Sequence, residues 1–149
     1  MMTERRPAPP EHPRAAALLA ALERVQVVLD AWRWDVVGED LVVVTFLRRA
    51  RVSLRIWLQA DVINLDVWCA TIAPDVNRLS WLLAQNLGQP FKARACHAEG
   101  GLHIYLTRDV PLDALDDLGA LIWDAYEASL LTAGRLLQVA PAPAADHRA

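Results

Sequence analysis

The residues best suited to chemistry alternate along two neighbouring apolar segments: Arg51, Ser53, Arg55, Trp57 and Gln59 in the first, Asn64, Asp66, Trp68 and Ala70 in the second. A guanidinium presents a rigid fork of donors to a carboxylate or phosphate, and tryptophan presents a large flat apolar surface with one donor. Interleaved at every second position, these types describe recognition, since no nucleophile among them is paired with a base. Trp with Arg is also the combination most enriched where interfaces concentrate binding energy. Large rings are costly to leave wet on a polar face. Three occupants are open: the chain's own terminal segment or last helix, a protein partner, or single-stranded nucleic acid. In the last case the rings stack on bases while Arg48, Arg49, Arg51 and Arg55 follow the phosphates.

A second candidate surface lies further on. Asn77, Ser80, Trp81 and Ala84 fall on one side of a predicted helix, opposite a stripe of Val76, Leu79, Leu82, Leu83 and Leu87 expected to face the core. One large ring among small polar neighbours suits close approach of a second copy. The other reading lays Trp81 along the protein's own surface.

Cys96 opposite His103, with His97 beside them, offers too few ligands for a metal. Arg94 opposite Tyr105, with Lys92 and Arg108 near, is a mildly basic sheet face. Asp113, Asp116, Asp117 and Asp124 recur at helical spacing, but helix capping accounts for the first three. No phosphate-cradling glycine loop is present, because Gly100 and Gly101 stand in a hairpin turn. Cys69 and Cys96, the two cysteines, are expected to be buried and reduced. A non-enzymatic protein without cofactor or metal is the expectation.

Bulk properties agree with a binding module. The chain has 149 residues, 54% hydrophobic and 22% charged, with a formal net charge of −3. That length suits one core, and that charge gives no general attraction to nucleic acid or an anionic membrane. The apolar run Ala15 to Leu22 is too short to span a bilayer, and a cytoplasmic location is expected.

The elements that position these residues are legible from period. Residues 1–13 and 140–149 are proline-rich and weakly apolar, and are expected to be disordered tails around a single domain, 14–139. Leu18, Leu22, Val25 and Leu29 mark a first helix. Ala31 to Val37 is a short strand, and Leu41 to Arg48, apolar on both sides, is a central one. In the next hairpin a turn at Ala60-Asp61 pairs Leu58 with Ile63, Ile56 with Leu65 and Leu54 with Val67, placing both apolar sets on one face. The same register sets Arg55 opposite Asp66, an ion pair worth at most about 1 kcal/mol if exposed. A helix opened by Pro74 and Asp75 follows, then the Glu99-Gly100-Gly101 hairpin. The last helix carries a buried stripe of Leu115, Leu118, Ile122, Tyr126, Ser129, Ala133 and Leu136, with Asp113 as its N-cap. The fold class is α+β: an antiparallel sheet of meander plus hairpin with helices packed on it, in the order α-β(β)ββ-α-ββ-α.

That order over Arg14 to Val139, with the entry LDALDDL before the last helix and strands ending in ATIAPDVNRLSWLLAQNL, resembles the YbjN family and the type III secretion chaperones that share its fold. The resemblance implies a dimeric, non-enzymatic protein that holds partner segments against exposed sheet and helix surfaces. It makes a homodimeric, chaperone-like adaptor the leading expectation and a single-stranded nucleic-acid binder the alternative. The strand Ala31 to Val37 departs from the family pattern and leaves the partner's identity open.

Overall fold

The alternation along the meander is realised as four antiparallel strands, β1 (Trp32–Val36), β2 (Leu41–Phe46), β3 (Ser53–Gln59) and β4 (Val62–Ile72). The computed structural model describes residues 13–28, 32–37, 41–46 and 52–143. Helix α1 (Pro13–Val28) precedes these strands and α2 (Val76–Gln85) follows them. The hairpin of β5 (Lys92–Ala98) and β6 (Gly101–Pro111) then leads through a 3-10 segment, Leu112–Asp117, into α3 (Leu118–Gln138). All six strands form one sheet in the order β1-β2-β3-β4-β6-β5, each neighbouring pair antiparallel. The fold is therefore α+β, with the expected succession of elements. Strand β2 sits one place in from the edge, not at the centre, because β1 pairs along its other side.

The hairpin register is the one the alternation requires: Leu58 pairs with Ile63, Ile56 with Leu65 and Leu54 with Val67. A slip of one residue would turn that apolar set toward water. Leu54, Ile56, Leu65, Val67 and Ile104 are fully buried beneath the helices. Helix α3 crosses β3, β4 and β6, α1 packs on α3, and α2 packs on β5 and α3 with Leu82 in the same core. Aromatic residues close the β1 end, where Trp32 meets Trp123 edge-on at 5.2 Å and Phe46 lies 4.5 Å from Tyr126. Sequence period marked β1 as a strand but not its tryptophans as core.

A β-bulge between Trp68 and Ala70 lets Trp68 pair with Tyr105 while Ala70 pairs with Ile104. The extra residue, Cys69, stays on the helix side, where its Sγ lies 3.5 Å from the Ser129 carbonyl and Ser129 Oγ donates to the Trp68 carbonyl at 2.8 Å. Burial pushes the Cys69 thiol up to about 12. At the second hairpin Gly101 has φ 152°, and a Cβ there would stand 2.5 Å from the Ile72 carbonyl oxygen. Only glycine permits that approach.

Two local expectations are corrected. Leu112–Asp117 winds as a 3-10 turn and α3 begins at Leu118, with no side-chain cap from Asp113 or Asp117. Residues Val76, Leu83 and Leu87 do not face the core, being 65%, 66% and 84% exposed. Helix α2 buries only Leu82, with Leu79 and Trp81 half-buried beside it. Its short length and its seat over β5 and α3 give it a narrow contact, too small to cover the whole apolar arc.

Candidate functional site

Because the helices share one face of the sheet, the other face carries none of them. Alternation along β3 and β4 places Arg55, Trp57, Asp66 and Trp68 together there, as their spacing predicted. Trp57 is 44% exposed, Arg55 and Trp68 are half-buried, and Asp66 is only 5% exposed. Arg51, with Arg48 and Arg49, lies outside the described residues. The last helix does not cover the tryptophans, since α3 packs on the opposite face.

Asp66 organises the centre of this face. Arg94 reaches it from β5 across β6, donating from Nε to Oδ1 at 3.1 Å and from Nη2 to Oδ2 at 2.6 Å. Its remaining terminal nitrogen, Nη1, donates to Cys96 Sγ at 2.8 Å. Cys96 is thus half-buried on the outer face, in contrast to the buried position expected for both cysteines. The Arg94 guanidinium lies 4.5 Å from the Tyr105 ring centroid and that of Arg55 lies 5.3 Å from it. Arg55 Nη2 also donates to the Tyr105 hydroxyl at 3.3 Å. The hydrogen bond to Asp66 holds the Arg94 guanidinium above its ordinary value, against the opposing effect of partial burial.

The expected Arg55–Asp66 ion pair is corrected in its partner. Arg55 does stand opposite Asp66 in the register, but the carboxylate is taken by Arg94. Two strands span about 10 Å, which suits a long side chain approaching diagonally better than one folding back on its immediate neighbour. Strand β6 makes that approach possible by inserting between β4 and β5. Around this centre, Asn64 Nδ2 donates to Thr107 at 3.0 Å and to Asp109 at 2.8 Å, while Thr71 Oγ1 and His103 Nδ1 lie 2.8 Å apart. Cys96 pairs with His103 and Arg94 with Tyr105, as expected, whereas Arg108 lies on the helix side over Phe91.

The second surface is the outer arc of α2. Asn77, Ser80 and Ala84 are exposed as expected, and Val76, Leu83 and Leu87 join them. No charged side chain interrupts that arc. Trp81 instead turns partly inward and lines a groove with Phe91, Leu106, Leu131 and Arg135.

The chain beyond α3 returns to the N-terminus of α2. Asp75 caps that helix through the Arg78 amide at 2.9 Å and accepts the Ala142 amide at 2.9 Å on its other oxygen. Arg78 Nε donates to the Val139 carbonyl at 3.3 Å, and Asn77 Nδ2 to the Ala140 carbonyl at 3.4 Å. Ala140 and Ala142 were expected in the C-terminal tail; residues 144–149, and 1–12 at the other end, lie outside the described residues. The Arg78 amide foremost, then the Ala142 amide and the Arg78 charge, hold Asp75 below its ordinary value, outweighing desolvation. A lowered folded pKa means the contribution is present above the unfolded value and lost as pH falls through the folded one. The Ala142 amide resonance is therefore expected to hold its bonded position through neutral and mildly acidic pH. It should shift only when acid protonates Asp75 below the ordinary aspartate range. Asp75→Ala should place it at the shifted position at every pH.

Among the described residues no helix is long and apolar enough to cross a membrane. No family model, curated protein or solved structure matches the chain.

Proposed function

We propose that the chain is a homodimeric, chaperone-like adaptor that binds a protein partner through the helix-free face of its sheet. One observation carries this reading: among the described residues every helix lies on the same side of the sheet, so Trp57, Trp68 and Arg55 are presented on a face that none of those helices covers. Surface tryptophan beside arginine is where binding energy concentrates in interfaces. The element order also supports kinship with the YbjN and type III secretion chaperone fold. The uncharged arc of α2 supports the dimer, since a two-fold contact brings a patch against itself and like charges there would repel.

Sedimentation equilibrium at tens of micromolar is expected to give the mass of two chains. Leu83→Glu with Leu87→Glu should give one chain with an unchanged circular dichroism spectrum, because both side chains are exposed. A wild-type monomer ends the dimer proposal. For the partner, affinity capture followed by mass spectrometry should recover a protein that Trp57→Ala with Trp68→Ala no longer retains. Equal recovery by the folded variant removes the sheet face from the proposal.

A further inference from the structure

At the centre of the helix-free face one arginine is left without a bonded carboxylate. Asp66 is held by Arg94, which spends Nε and Nη2 on the carboxylate and Nη1 on Cys96. Arg55 stands directly opposite the same carboxylate, yet among the described residues its one side-chain hydrogen bond is to the Tyr105 hydroxyl. Asp35 shares Arg55's row two strands away, across β2, and among the described residues forms no hydrogen bond with it, so Arg55 keeps most of its five donors for another acceptor. Two residues along β3 on the same face stands Trp57, 44% exposed. Successive same-side positions of a strand are about 7 Å apart.

We propose that this face takes an extended acidic protein segment, in which a carboxylate on Arg55 and an apolar side chain on Trp57 are separated by two residues of the bound segment. The inference rests on the face being the partner-binding surface, and it adds the partner's chemistry. Charge complementarity selects the carboxylate, since a fork of free donors binds it through two parallel hydrogen bonds. The spacing selects an extended chain, because the same two-residue repeat then runs along protein and ligand. A nucleic-acid strand fits less well. The Tyr105 ring already carries two guanidiniums and is not free to stack on a base.

The test is selection of short random peptides displayed on phage against the full chain, with counter-selection on Arg55→Gln. Selected peptides should be enriched in Asp or Glu two residues from an aromatic or aliphatic residue. A synthetic copy should lose about tenfold or more in affinity on Arg55→Gln, the scale of a hydrogen bond to a charged group. Its affinity should also fall with salt. Unchanged thermal unfolding of Arg55→Gln confirms that the fold is kept. Peptides without carboxylates, or ones that bind Arg55→Gln equally, overturn the inference; if Trp57→Ala still weakens them, the face remains a protein-binding surface. Peptides indifferent to Arg55, Trp57 and Trp68 overturn both readings. Arg55-dependent binding of a single-stranded oligonucleotide, with no peptide selected, assigns the face to nucleic acid and overturns both as well.

Discussion

Leu54→Ala is expected to lower the unfolding free energy by about 3 kcal/mol, while Leu83→Ala changes that of the single, dissociated chain by less than about 0.5 kcal/mol. Both are leucines in apolar patterns, and the difference lies in what surrounds them. Leu54 is fully buried between Val44 and Val67, which are themselves fully buried, so removing its side chain leaves a cavity that rigid sheet neighbours cannot close. Leu83 is 66% exposed on α2 and loses few contacts. Urea titration of the two variants beside wild type measures both values. Similar losses at the two sites at dissociating concentration would mean that Leu83 is covered within its own chain, whereas a loss at Leu83 that appears only as concentration rises is the signature of a second copy packed on α2.

The contrast also marks where sequence stops being informative. Strand faces could be assigned because a period of two tolerates one register, and the burial of Leu54, Ile56, Leu65 and Val67 obeys it. Helix α2 has apolar residues around more than half its circumference, so period alone does not say which arc meets the core. Its inward arc is chosen by a tertiary fact, the seat over β5 and α3, and Trp81 follows that choice inward. The same limit governs the site. Trp57, Trp68, Arg55 and Asp66 belong to one hairpin, and local pairing placed them together. Arg94 and Tyr105 were visible as a pair in the second hairpin, but their meeting with Asp66 depends on β4 pairing with β6, separated from it in sequence by α2 and β5. No local signal encodes that partnership. The bulge at Cys69 is likewise invisible to an alternation that runs apolar on both sides of it.

Arg94→Met is expected to cost about 1 to 2 kcal/mol alone, and together with Arg55→Met to cost more than the two single losses summed, reaching about 3 to 5 kcal/mol. Asp66 is 5% exposed, so its carboxylate needs a cation, yet Arg94 is 41% exposed on its side chain and solvent weakens the pair. Arg55 stands opposite the carboxylate and can swing from Tyr105 to Asp66 once Arg94 is gone, which limits the first loss. With both cations removed, the buried carboxylate has no charged partner, which is the costlier state. Adding Asp66→Asn, which removes the charge, should recover part of the loss. Denaturant titrations of the four members of the cycle, and of the double variant with Asp66→Asn added, decide it: strict additivity would show that Arg55 never replaces Arg94, and no recovery on adding Asp66→Asn would show that the cations stabilise the sheet by packing on Tyr105 instead.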